Sequence, residues 1–234
     1  MLNSEFGVGC GSSGPNCKNS GDCANSPDLC IKRHDTRPHL KIAMSDCDGP
    51  IDLSEDGIVV EASMWFDAKL KADIQASASQ IRFADDIGFE SVSVGDVVST
   101  SKSRSQEMML VTAVDESSKT LTVSRGHGGT PSRSWNKGTE LAVFRFRDEP
   151  AKIESVFEES ESIDGSISES LAETLLVFEW TQAHTSFPGC YWLEFKILKM
   201  TYASSSDSVN WIKRIPLSSP GFTIRIVDSP TSPS

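Results

Sequence analysis

Short-period patterning constrains this chain more than any other feature. From Lys32 onward, apolar residues recur in runs of strand length cut by Gly, Pro, Asn or Asp, and no long amphipathic helix is visible. Leu40, Ile42 and Met44 alternate with polar neighbours, the period of a half-buried strand. Asp46-Cys47-Asp48-Gly49-Pro50 then marks a turn before a second strand from Val59 to Phe66. The stretch 67–79 holds helix formers with little patterning and reads as a connection. Within 80–147, Ile81 alternates with Phe83, and Met108, Leu110, Thr112 and Val114 mark a further strand. Leu121 and Val123 share a face, and Leu141, Val143 and Phe144 close the block. Short strands at near-regular spacing with turn residues between them predict a small β-barrel. Farther on, Leu175 to Trp180 is an apolar strand. Phe187-Pro188-Gly189 reads as the turn that lets Tyr191 to Ile197 pair back, and Ile212–Leu217 and Phe222–Val227 extend an antiparallel run. The expected class is all-β.

Residues 1–31 break this pattern. They are rich in Gly, Ser and Asn and carry Cys10, Cys17, Cys23 and Cys30 in the spacing C-x6-C-x5-C-x6-C. A segment with so little apolar surface needs cross-links, a metal or a neighbouring subunit to become ordered. Two disulfides are the leading reading, with three possible pairings. Four thiolates around zinc or an iron–sulfur cluster is a second, although the gaps exceed those of zinc knuckles. Free thiols in an arm packed on a neighbour is a third. Cys47 and Cys190 lie on or beside strands and read as buried thiols. Residues 230–234 read as a disordered tail.

Charge narrows the function. With 33 acidic and 22 basic residues the net charge is −11, which disfavours binding to phosphate backbones. The acid concentrates in Glu154, Glu158, Glu159, Glu161, Asp164, Glu169 and Glu173, with no basic residue after Lys152 in that stretch. Such a run fits a solvated edge that resists strand-to-strand aggregation, or a contact with a basic partner. No apolar run is long enough for a transmembrane helix, and the N-terminus lacks the pattern of a secretory signal, so synthesis in a cytoplasm is expected.

Catalytic signatures are missing from the sequence. His34, His39, His127 and His184 are scattered, with neither H-E-x-x-H nor G-x-S-x-G, and a dyad of His184 with Cys190 is not adopted. Asp46-x-Asp48-Gly49-x-x-Asp52 lacks the full calcium-loop pattern and reads as a turn. Arg125-Gly126-His127-Gly128-Gly129 lacks a P-loop ending and reads as a barrel turn. No enzymatic activity and no resident cofactor are expected.

Asp35-Thr36-Arg37-Pro38, a strand, and Asp48-Gly49-Pro50-Ile51-Asp52-Leu53 resemble the opening of the immunoglobulin-like N-terminal domain of phage baseplate upper proteins. Val177-Phe178-Glu179-Trp180, then Thr185 and Pro188-Gly189-Cys190-Tyr191-Trp192-Leu193-Glu194-Phe195, resemble its close. Ile215-Pro216 and Thr223-Ile224-Arg225-Ile226 suit its last strands. The likeness covers about 32–66 and 174–228. Between these halves, Val94-Gly95-Asp96 and Leu121-Thr122-Val123-Ser124-Arg125-Gly126-His127-Gly128-Gly129-Thr130 resemble a small barrel found in other phage-particle proteins.

The resemblance implies an Ig-like antiparallel β-sandwich with an inserted small β-barrel and an irregular Cys-rich N-terminal arm. The expected divisions are arm 1–31, first sandwich part 32–79, barrel 80–147, second sandwich part 148–229 and tail 230–234. The implied role is a virion structural protein, an adaptor joining the tail hub or tube to fibres or receptor-binding proteins. Many copies would sit in a symmetric assembly, without nucleic acid or membrane. A head, neck or collar decoration protein or fibre anchor is one alternative, and a host-surface glycan- or receptor-binding module is another. Strand alternation would place Trp192 opposite Tyr191, Leu193 and Phe195 as an interface anchor, with Trp135 and Trp211 as lesser candidates.

Overall fold

The computed structural model describes residues 29–37, 39–43, 45–46, 49–50, 52–53, 57–84, 88–100, 107–161, 167–203, 206–215 and 222–228. In chain order the first strands are β1 (Leu29–Lys32), β2 (Leu40–Ala43), β3 (Ser45–Asp46), β4 (Gly49–Pro50), β5 (Ile58–Lys69), β6 (Gln80–Ile81) and β7 (Val97–Ser99). They are followed by β8 (Met108–Asp115), β9 (Thr120–Ser124), β10 (Glu140–Glu161), β11 (Ile167–Phe178), β12 (Gly189–Ala203), β13 (Ser206–Ile215) and β14 (Phe222–Val227). Among the described residues the only helical pieces are single 3-10 turns at Phe89–Ser91 and His127–Gly129. The chain is all-β, as its patterning predicts.

Two long strands organise the molecule. β5 alternates Val60, Ala62, Met64 and Phe66 toward the core, and β10 runs antiparallel to it from Glu140↔Lys69 to Ala151↔Val60. The pairing slips between Phe144 and Phe146 and again between Phe146 and Glu149. An extra residue in one strand reverses which face the next side chain takes. Phe144 therefore joins Trp65, Ala142 and Trp192 in a small cluster apart from the main core, whereas Phe146 enters the main core opposite Met64.

β12 lies on the other side of β5, from Trp192↔Trp65 to Lys199↔Ile58. Its first residues pair with β14 and its later ones with β13. β11 pairs with the second half of β10 and with β2. The β2–β11 layer faces the β12 layer across a core where the Phe178 ring meets Phe146 at 5.1 Å and Phe195 at 6.3 Å. The result is a β-sandwich in which β10 contributes to both layers.

Beyond the sandwich, the first residues of β10 pair with β7, and the ladder continues β7–β8–β9–β6. An isolated bridge, Leu70↔Phe83, brings it back to the end of β5, where the Leu70 amide also donates to the Thr139 carbonyl at 3.0 Å. Leu70, Ile81, Met109, Val111, Leu121 and Val123 fill the interior of this turn of sheet and are 3% exposed or less.

Several expectations need correction. β11 and β12 do not pair. Phe178 and Phe195 meet edge to face across the core, so residues 179–188 carry the chain from one layer to the other instead of closing a hairpin. The sheet is mixed, because β1 pairs with β14 in parallel from Leu29↔Ile224 to Lys32↔Val227. The end of the expected arm is thus a strand, anchored by the buried Ile31; residues 1–28 and 230–234 lie outside the described residues. On β8 the fully buried side chains are Met109 and Val111, the phase opposite to Met108 and Leu110. The 147/148 boundary falls inside β10.

Candidate interaction surface

Several charged groups among the described residues are built into the frame. Glu107 is fully buried, and Arg125, at the end of β9, grips it with two bonds, Nε to Oε1 at 2.6 Å and a terminal nitrogen to Oε2 at 2.7 Å. Trp135 Nε1 donates to the same carboxylate at 2.8 Å, and so does the Arg133 amide at 3.0 Å. Arg125 also donates to the carbonyls of Gln75 at 2.7 Å and Ala78 at 2.9 Å. Burial pushes the Glu107 carboxyl up, but these donors outweigh it and hold it below the usual range. Trp135 is consequently half-buried, with its indole N–H committed to this carboxylate.

Gly126 sets the turn that follows Arg125. Its φ is +66°, and an added Cβ would stand 2.8 Å from the Thr130 carbonyl oxygen, which is backbone and cannot swing away. Gly126→Ala is expected to destabilise the protein by about 1–3 kcal/mol. Urea denaturation would check this, and an unchanged midpoint would contradict it.

The Val94-Gly95-Asp96 segment has a similar logic. Gly95 takes φ +100°, and Asp96 Oδ2 accepts the Ser93 amide at 2.8 Å. Buried Asp96 then meets buried Arg145 at 3.2 Å. Burial pushes the Asp96 carboxyl up, opposed by Arg145 and by the Ser93 amide. The Arg145 guanidinium also donates to the Ser91 carbonyl and lies 4.5 Å from the Phe187 ring centre. It therefore ties the turn before β7 to the segment that crosses between sandwich layers.

His184 is buried in that crossing, its ring 4.4 Å from Phe146 and 5.6 Å from Phe178. Nδ1 accepts the Thr181 amide at 3.1 Å, which places the proton on Nε2, 3.1 Å from Glu149 Oε2. Both ring nitrogens are thereby engaged away from Cys190. Burial lowers the His184 pKa, with Glu149 opposing. The unfolded chain takes up this proton near pH 6.5, while the folded chain resists it until lower pH. Stability is thus full above about 6.5 and falls as pH drops through the window below it. Denaturation between pH 7.5 and 5.5 should show this loss, and His184→Gln should flatten it; equal slopes for both proteins would contradict the assignment.

The other residues singled out by sequence are placed as follows. Trp192 does lie opposite Tyr191, Leu193 and Phe195, but Trp65, Ala142 and Phe144 cover it, and its Nε1 donates to Asp67 at 3.0 Å. A side chain so enclosed is not presented as an exposed anchor. Trp211 is on β13 opposite Lys199, and its side chain lies outside the described residues. Cys10, Cys17, Cys23 and Cys47 also lie outside them. Cys30, on β1, is disulfide-bonded, and a disulfide sulfur is not a thiolate ligand. Among the described residues, no group of three or more His, Cys, Asp or Glu side chains could hold a metal ion. A cavity of about 460 Å³ beside the slips in β10 is lined by Met108, Phe144, Arg147 and Asp148 among others. Its charges are already matched, Arg147 with Asp148 at 3.4 Å and Lys196 with Asp148 at 2.6 Å.

Sequence reasoning did not anticipate the geometry of the acidic stretch. Beyond Ala151↔Val60, β10 has β11 as its partner, and before Leu175↔Ala43, β11 has β10. The two strands continue as a ribbon to Glu161↔Ile167. Residues 156–159 are all exposed, so both faces of this part of the ribbon meet solvent. Val156 is 44% and Phe157 54% exposed, and Glu158, Glu159 and Glu173 surround them in sequence and register. Near its base Glu154 pairs with Lys41 at 2.9 Å.

No protein-family model matches this sequence, and comparison with curated proteins finds no match.

Proposed function

We propose that this protein is a non-enzymatic adaptor of a bacteriophage particle, joining a tail hub or tube to fibres or receptor-binding proteins. The β10–β11 ribbon carries the reading. It continues a strand shared by both sandwich layers, leaves residues 156–159 exposed, and presents an aromatic side chain with no role in the core. Strands so extended give an assembly protein a preformed contact surface. The internal commitment of Glu107, Asp96 and His184 further favours a structural role over a catalytic one. The sequence resemblance described above gives the reading its particle.

A phage carrying this gene and its deletion mutant provide the test. The chain is expected in purified wild-type particles by mass spectrometry. Particles made without it are expected to assemble heads and tails but to lack fibres and adsorb poorly. Normal fibres and adsorption in the deletion mutant would contradict the proposal.

A further inference from the structure

We infer that the β10–β11 ribbon docks into a basic surface of a different protein, with Phe157 filling an apolar socket ringed by Lys and Arg. The inference deepens the adaptor reading and rests on it for where the partner is to be found. Glutamates alone on a projecting ribbon have a simpler explanation, since charge on open strands blocks edge-to-edge aggregation. That explanation does not extend to Val156 and Phe157. A protective edge avoids adjacent exposed apolar residues, yet here they sit in the most acidic part of the chain, one on each face.

An exposed aromatic within a charged rim is the usual composition of an interface anchor. The sign of the rim selects the partner. Between Glu154 and Glu173 there are seven acidic residues and no basic one, so a surface of Lys and Arg is attracted and an acidic surface is repelled. A second copy of this chain, at net charge −11, is a poor fit, as are nucleic acid and anionic lipid.

The test places photoreactive benzoylphenylalanine at Phe157 of the full chain, in cells producing the particle, with Val94, the 65% exposed apolar residue, as control position. Substituting Glu159 in the same way gives a second probe that touches no core residue. The expected result is a cross-link from residue 157 to a different protein, within a patch rich in Lys and Arg. Adding Glu158→Lys and Glu159→Lys to the Phe157 probe should lower its yield about tenfold. Cross-links only to a second copy, or none above the Val94 control, would overturn the inference while leaving the adaptor reading in place if the chain is still in the particle. If the chain is missing from particles, the adaptor reading fails. A cross-link to a basic protein elsewhere in those cells would then still support this docking surface, and its absence would overturn it.

Discussion

Replacing Arg125 with alanine is expected to cost about 3–5 kcal/mol of stability. The size follows from what is left behind. Glu107 is fully buried and, without the guanidinium, keeps among the described residues the Trp135 and Arg133 donors for a full negative charge. The carbonyls of Gln75 and Ala78 lose a donor as well. An exposed ion pair of the same geometry would contribute about 1 kcal/mol or less, because water screens it; burial makes the difference. Arg125→Lys should recover part of the loss, since an ammonium keeps the charge but cannot span both carboxylate oxygens and both carbonyls in one plane. Urea denaturation of the three proteins checks the order wild type, Lys, Ala. A loss under about 1 kcal/mol for the alanine variant would mean that the cluster is hydrated and does not staple the β8–β9 region to the 75–78 and 133–135 loops.

The second large effect is at Arg145. Arg145→Ala is expected to cost a comparable 3–5 kcal/mol, because it strands the buried Asp96 carboxylate and removes the guanidinium from Phe187. Asp96 gives the experiment a sharper form. Burial already raises its pKa despite Arg145, so the pair carries a desolvation cost that neither residue alone reveals. The double variant Asp96→Asn with Arg145→Met has no uncompensated charge and should be clearly more stable than Arg145→Ala. Thermal melts at pH 7 measure this difference. A double variant as unstable as Arg145→Ala would show that stacking on Phe187, rather than charge, holds the turn before β7 against the interlayer crossing.

The all-β class was legible because alternation is strong where one face is buried. Ile81 with Phe83 and Leu121 with Val123 point inward together, as their spacing suggests. β8 misled because Met108-Met109-Leu110-Val111 is apolar in both phases, and only packing against the interior selects Met109 and Val111. The β11–β12 pairing was misjudged because neighbouring strands usually pair, whereas here Phe178 and Phe195 lie in opposite layers. Trp192 was legible as to face but not burial. The slip that separates Phe144, beside it, from Phe146 in the main core is an extra residue in β10, with no mark in the sequence. The acidity of 154–173 was plain from composition. That residues 156–159 are exposed on both faces of a two-stranded ribbon depends on where β5 and β2 stop pairing, which is a property of the assembled sheet. Glu107 and Arg125 are separated by β8 and β9, and nothing local announces their contact.

A cryo-EM map of the intact phage particle at side-chain resolution would decide the proposed role. The adaptor reading predicts density for this chain between the tail tube or hub and a fibre or receptor-binding protein, in several symmetry-related copies, with the β10–β11 ribbon seated on a basic neighbour. Density on the head or neck would contradict the tail assignment, and absence of the chain from the particle would contradict the structural role altogether.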